Sequence, residues 1–344
     1  MTATSTVDVP SEAEALLLSR RPGVELEPAD FELASISVPA PRDGEVTVRN
    51  VLTSVDPYML PRMQGRSSYA SPFPLGEPVA ADSIGEVVAS AHLGVPVGSW
   101  LVSHSGWRTY ATVAGSPADV IDRQIGDPVA WMSVLGMTGI TAWFGLHDIG
   151  RVRPGETVLV NAAAGAVGSV VVELDVHVGA RVVAVAGSAS KLRYVRELGA
   201  DEAVDYNAPA FDEALARACE SGVNVFFDNV GGRQLANALP LMRPHGRVVL
   251  CGRMSGLGAD ADPGLVDIGP AVPNRLSLQG FIVVDHLDRW PEIRSELAGL
   301  LAQGELRPVI SITDGLHRAP DALAGLYRRG TNHIGKSLVR IAED

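Results

Sequence analysis

The stretch Thr157–Lys191, TVLVNAAAGAVGSVVVELDVHVGARVVAVAGSASK, decides the fold. Thr157–Val160 is a short β-rich run. Ala163-Ala164-Gly165-Ala166-Val167-Gly168 turns the chain, an apolar helical segment comes next, and Arg181–Ala186 is a second β-rich run. Strand, glycine turn, helix and strand in that order make a βαβ unit with a phosphate-binding turn. Gly165 lets the backbone approach a pyrophosphate, and Gly168 lets the helix pack close to the strand. The helix N-terminus offers unpaired N–H groups and a positive dipole end to the anion. Ala163 stands where the usual fingerprint has its first glycine, so the flanking strand and helix carry the reading more than the glycines do.

The end of the second strand selects the dinucleotide. An NAD site places Asp or Glu there, about 20 residues beyond the turn, to hold the ribose hydroxyl. This chain has Gly187-Ser188-Ala189-Ser190-Lys191, with no carboxylate. Lys191 and Arg193 then open a helix, where cations oppose the dipole and require an anion nearby. The 2′-phosphate of NADP(H) would be that anion. The competing reading of Lys191 is a solvated surface lysine.

Composition sets the outer limits. The chain has 344 residues, enough for about two domains, with 46% hydrophobic and 20% charged residues. Its net charge of −12, from 28 basic and 40 acidic residues, argues against a nucleic-acid partner. Two cysteines, Cys219 and Cys251, exclude a disulfide framework and a four-cysteine zinc site within one chain. MTATSTVDVP at the N-terminus lacks the pattern of a signal peptide, and no apolar run reaches a membrane span. A cytoplasmic protein is expected.

In chain order, Met1–Glu14 is polar and reads as frayed. Strands are expected from Ala15–Ser19, Phe31–Val38, Glu45–Leu52, Ser83–Ala89 and Trp100–Val102, among many prolines, giving an irregular β domain. Val129–Leu135 and Thr141–His147 read as helices separated by a break at Gly136–Gly139. Beyond them strands and helices alternate: Thr157–Val160, Arg181–Ala186, Ala203–Asp205, Asn224–Phe227, Arg247–Cys251 and Leu278–Val283, with helices such as Ser190–Leu198, Gln234–Met242 and Trp290–Ala302. That alternation indicates a doubly wound parallel six-stranded sheet, an α/β fold. Val309–Thr313 and Ser337–Ile341 read as strands flanking the helix Ala319–Arg328, and as rejoining the first domain because the parallel sheet is already complete.

Seven segments in order, TSVDPYM (Thr53–Met59), SGW (Ser105–Trp107), GMTGITAW (Gly136–Trp143), VNAAAGAVGSVV (Val160–Val171), FDNVGG (Phe227–Gly232), CGRMS (Cys251–Ser255) and QGFIV (Gln279–Val283), resemble the medium-chain dehydrogenase/reductase superfamily. They are most similar to its leukotriene hydroxydehydrogenase/prostaglandin reductase group, which includes curcumin reductase and plant alkenal double-bond reductases. The resemblance implies a GroES-like domain from residues 1–127 and 311–344 and a Rossmann NADP-binding domain from 128–310. Zinc alcohol dehydrogenases share the superfamily fold but would carry a His before the glutamate of Gly76-Glu77-Pro78. None is present there, so no metal is expected.

Residue by residue, the resemblance implies that Gly165, Ala166, Val167 and Gly168 hold the pyrophosphate and that Gly187, Ser188, Lys191 and Tyr206 surround the 2′-phosphate. Asn229 would lie near the cofactor; Cys251, Gly252, Ser255, Phe281, Ile282 and Val283 would line the nicotinamide half. Blander roles compete: Tyr206 as the cap of an apolar patch, Asn229 as the closer of a turn with Gly231-Gly232, Cys251 as a small buried hydrophobe. Two departures stand out. Gly256-Leu257 replaces a Tyr often found near the nicotinamide. Near the C-terminus, His333 takes the place of a family Asn; Asn332, one residue away, is preferred across a one-residue bulge.

The implied activity is NADPH-dependent reduction of the carbon–carbon double bond of α,β-unsaturated ketones and aldehydes. Quinone reduction of the zeta-crystallin type is the alternative, and a nucleotide-binding protein without catalysis the third reading. Hydride adds to the β-carbon, a hydrogen-bond donor stabilises the enolate oxygen, and a proton reaches the α-carbon. Tyr58, on the Pro-bounded loop of VDPYM, is the candidate donor, since a neutral phenol donates without becoming charged; packing at a domain interface is its competing role. Pocket loops are expected at Met59–Ser71, at Trp107 and at Gly256–Ile268, the last a lid. A homodimer joined through sheet edges is implied by the family.

Overall fold

The computed structural model describes residues 9–66, 69–116, 119–258, 261, 263–328 and 330–342. Met1–Asp8 and parts of the Met59–Ser71 and Gly256–Ile268 loops lie outside the described residues, so the frayed terminus and the lid are not addressed by it. The chain divides into two compact units, one of Met1–Met132, Ser311–Leu326 and Ser337–Asp344, the other of Ser133–Ile310 and Tyr327–Lys336. The short segment Tyr327–Lys336, expected with the β-rich domain, groups with the nucleotide-binding unit.

In the first unit the strands are β1 (Glu12–Leu18), β2 (Phe31–Ser37), β3 (Glu45–Ser54), β4 (Ser83–Ser90), β5 (Trp100–Ser103) and β6 (Tyr110–Ala114). In the second they are β7 (Thr157–Val160), β8 (Arg181–Ala186), β9 (Glu202–Asp205), β10 (Val223–Asp228), β11 (Met242–Leu250) and β12 (Ser277–Gly280). The chain then closes the first sheet with β13 (Ile310–Asp314) and β14 (Lys336–Arg340).

The second unit's six strands run in the order β12-β11-β10-β7-β8-β9, every pair parallel. Strand order reverses between β7 and β10, the switch point at which open α/β sheets bind ligands. Central strands buried on both faces must be apolar throughout; Val158, Leu159 and Val160 are 0–1% exposed. Leu159, Val183, Phe226 and Val248 share one core cluster with Phe211 and Leu215 of the helix Phe211–Ala218.

The first unit's main sheet runs β13-β14-β3-β4-β5, with β6 also on β3. The return strands thus join the β domain as expected. Val46, Val48, Val87, Val95 and Leu101 form one core cluster in this unit. Alternation along β3 sends Val46 and Val48 inward, while polar Thr47 bonds Thr112 of β6 through their hydroxyls at 3.0 Å.

Several expected elements move. β6 was not anticipated, and β1 begins at Glu12 rather than Ala15. The break at Gly136–Gly139 is a helix start: Gly136 caps Met137–Phe144, which continues as a π-helical turn to Gly150. Gly139 is there for packing, since a Cβ would stand 1.8 Å from the Val134 carbonyl oxygen. β11 starts at Met242, through His245 at φ +64°. β12 stops at Gly280, leaving Phe281–Val283 just beyond the strand.

Candidate active site

The glycine turn leaves β7 through Asn161 and Ala162. Ala162 adopts φ +46°, left-handed for a residue with a side chain, at a cost of about 1 kcal/mol. Its carbonyl oxygen organises the rest of the turn: Gly165 N–H donates to it at 2.9 Å. Gly168 packs so tightly beneath that a Cβ would lie 2.4 Å from that oxygen and 2.8 Å from Ala163 Cα. Ala163, at the first-glycine position, donates its N–H to Val185 O of β8 at 3.1 Å and is fully buried. The helix Gly168–Val178 therefore starts pressed against its strand, and the positive end of its dipole faces the turn. Ala166 and Val167 lie half-buried on this turn.

The C-terminal excursion reaches the same turn. Gly335 N–H donates to Ala164 O at 2.8 Å, and Gly165 and Gly335 form a parallel bridge. Gly335 has φ +71°, and a Cβ on it would meet Val309 O at 2.0 Å. Asn332 Oδ1 accepts from Ser190 Oγ at 3.1 Å, and His333 lies near Lys191. Burial, then the Lys191 charge, holds the His333 imidazole below its ordinary pKa.

At the end of β8, Gly187 is bare because Tyr206 fills the space: a Cβ would fall 2.4–2.5 Å from its ring and hydroxyl. Tyr206 also packs on the core of the sheet, so it serves as an apolar cap as well. Ser188 caps the helix Ala189–Glu197 by accepting from Lys191 N–H at 3.4 Å. Lys191 is half-buried, burial lowers its pKa, and no carboxylate pairs with it among the described residues. Arg193 is exposed and paired with Glu197 at 3.8 Å, so of the two cations it is Lys191 that lacks a countercharge. That is the electrostatic imprint of an anion site, and it fits the 2′-phosphate of NADP(H).

Beyond β10, Asp228 is buried; its Oδ1 accepts from Asn161 Nδ2 at 2.6 Å and from the N–H groups of Val230 and Gly231. Burial still raises its pKa. Asn229 has its amide committed, donating to Asn161 O at 3.0 Å. It thereby locks the β7 and β10 ends together. Gly252 packs on Asn229 O, 2.5 Å from where a Cβ would be, and Ser255 Oγ lies 3.4 Å from the corresponding point on Gly231. The half-buried Cys251 thiol is pushed up to about 12 by burial, the mark of an unreactive thiol. The Phe281 ring packs at a tilt on Phe144, centroids 5.5 Å apart; Ile282 is half-buried, and Val283 O accepts from Trp290 Nε1. The cofactor candidates thus converge on the C-terminal ends of β7, β8, β10, β11 and β12.

Tyr58 belongs to the first unit, at the N-cap of the helix Met59–Met63. Burial, then Asp56 and Asp82, raises its pKa well above the ordinary value, so the phenol stays protonated. The Arg62 guanidinium sits 5.8 Å from its ring. Sequence reasoning did not mark Gly335 or the pair Asp82–His104, whose Oδ1 and Nδ1 are 2.9 Å apart. A glycine preceding a strand was the only signal for the first. Nothing local signalled the second. No group of three or more His, Cys, Asp or Glu converges among the described residues.

A dinucleotide-binding parallel sheet with a β-rich companion defines a class of oxidoreductases, and the comparisons narrow it. Residues 14–121 match the family model for the N-terminal domain of oxidoreductase, and 166–299 that for zinc-binding dehydrogenase. NADPH-dependent curcumin reductase of Escherichia coli is 36% identical over 95% of this chain and 96% of its own. Prostaglandin reductase 1 of Bos taurus is 34% identical over 91% of this chain and 94% of its own. The structure of CurA from Vibrio vulnificus in complex with NADPH superposes with a TM-score of 0.89 at 34% identity, covering 96% of this chain and all of that one. The chain belongs to the medium-chain dehydrogenase/reductase superfamily, in the group that holds the curcumin, prostaglandin and alkenal reductases.

Proposed function

We propose that the protein is an NADPH-dependent reductase of the carbon–carbon double bond of α,β-unsaturated ketones and aldehydes. One observation carries the cofactor half: Lys191, half-buried and without a carboxylate partner among the described residues, beside a strand end that has Gly187 where NAD enzymes keep a carboxylate. Relatives named for curcumin, pulegone and alkenal reduction support the substrate half.

When bound, NADPH supplies hydride to the β-carbon. Gly165, Ala166, Val167 and Gly168 would hold the pyrophosphate at the start of the helix, and Gly187, Ser188, Lys191 and Tyr206 would select the 2′-phosphate, with Asn332 accepting from Ser190 Oγ. Asn229, Gly252 and Ser255 keep the strand ends in register, while Cys251, Phe281, Ile282 and Val283 give the nicotinamide an apolar wall. Tyr58, protonated throughout the working pH range, donates to the carbonyl oxygen as negative charge gathers on it. Residues 1–132, 311–326 and 337–344 act as the catalytic domain, and 133–310 with 327–336 as the nucleotide domain. The reaction uses no metal on this reading: Gly76-Glu77-Pro78 lacks the zinc-site His.

A homodimer through the free edge of β12 suits the exposed strand and the exposed Leu265, Ile268 and Val272 in the segment that leads into it. Two free cysteines suit the cytoplasm. Following NADPH absorbance against enones, enals and quinones tests the assignment. Turnover of enones with a saturated-ketone product supports it; turnover of quinones alone replaces it with the quinone reductase reading.

A further inference from the structure

Tyr58 has company at its end of the sheet. Register pairs Thr53 with Ser83, and Ser83 with Ser103. β3 leaves the sheet after Ser54 toward Asp56 and Tyr58, β4 enters after Asp82, and β5 leaves after Ser103 to His104. Antiparallel pairing puts those three chain ends at one edge. There His104 Nδ1 lies 2.9 Å from Asp82 Oδ1. A carboxylate only accepts, so Nδ1 carries the hydrogen in this pair.

The loop beneath His104 is built stiffly. Ser103 Oγ donates to Ser105 Oγ, and Ser105 Oγ to Asn50 Oδ1, both at 3.0 Å. Trp107 Nε1 donates to Ser54 O at 3.1 Å, tying this loop to the strand that carries Tyr58. Gly106 sits at φ +80°, where a Cβ would fall 2.4 Å from Val79 O. An ordinary surface ion pair gains little and needs no such frame; here Asn50, Ser54, Ser105 and Trp107 of the frame are buried while the imidazole is 53% exposed. Asp82 is also close enough for its charge to act on the Tyr58 phenol.

We propose that the Asp82–His104 pair is the proton source of the reaction, delivering to the α-carbon the proton that follows hydride addition. This rests on the reductase reading above. The imidazolium N–H bond breaks, the C–H bond forms as the enolate's electron pair returns to the α-carbon, and neutral imidazole is left on Asp82. Solvent reprotonates it, which is why it is exposed. Asp82 is the positioning residue, fixing the tautomer. Asp56, Arg62 and Tyr69, from the segment after β3, are the other charged or titratable groups facing Tyr58.

The test uses the intact enzyme, NADPH and an α-substituted enone in D₂O. Wild type should place solvent deuterium on one α-face. His104→Gln should lose about 100-fold in turnover and give product labelled on both faces, with NADPH binding by fluorescence unchanged. Asp82→Asn should lower turnover without raising KM. A His104→Gln enzyme that keeps the wild-type turnover and single-face labelling overturns the proposal alone. A wild type that reduces no enone overturns both readings together.

Discussion

Two strand-end sites in this chain are built on opposite principles. The nucleotide turn between β7 and its helix is made of backbone: Ala162 bends left-handed, and Gly165 and Gly168 close on its carbonyl within contacts no side chain could enter. The edge that carries Tyr58, Asp82 and His104 is made of side chains on three strand ends, brought together by antiparallel register. A backbone site is written in consecutive residues and tolerates almost no substitution. A register site is scattered along the sequence and can be varied one side chain at a time.

That contrast predicts a descending series of effects on activity. Gly168→Ala should be the most severe, because its Cβ meets main chain rather than a movable side chain. Overpacking of this kind costs about 1–3 kcal/mol, so titration should show NADPH binding weakened by about 100-fold at the upper end of that range, with a lower melting temperature. Unchanged binding would mean the turn relaxes freely and is no backbone site. Lys191→Ala removes a charge rather than a shape. It should weaken NADPH by about tenfold or more while sparing NADH; equal weakening of both would detach Lys191 from the 2′-phosphate.

Tyr58→Phe probes the other region. Turnover should drop at least about tenfold, about 1.4 kcal/mol of barrier, with NADPH affinity intact; unaltered turnover returns Tyr58 to a packing role. The smallest effect on activity is expected at Glu173→Gln, on the helix that the glycine turn starts. Burial pushes the Glu173 carboxyl up to about 7 in spite of Arg307. The folded state thus holds the proton more tightly than the unfolded chain, and stability present at low pH is lost as pH rises from the unfolded value of 4.5 to about 7. The glutamine variant should gain up to about 3 kcal/mol in melts at pH 8 and little at pH 5. Equal gains at both would assign the effect to packing.

Legibility in the sequence divides along the same line. Thr157–Val160, Arg181–Ala186 and Trp290–Ala302 fall where local pattern put them, because apolar runs and helical spacing are properties of neighbours in sequence. β6 and the His104–Asp82 pair depend on partners far along the chain. Gly139 misled because a glycine required by close packing reads the same as one that ends a helix. Lys191 was readable from its position, its lack of a countercharge only from burial.

The hydrogen bond from Gly335 to Ala164 means that the cofactor turn is splinted by a segment far from it in sequence. A graft of residues 133–310 into another scaffold would carry the fingerprint but leave the splint behind. Anyone trading nucleotide modules among these enzymes must move two pieces, and the smaller, Tyr327–Lys336, contains no motif to announce it.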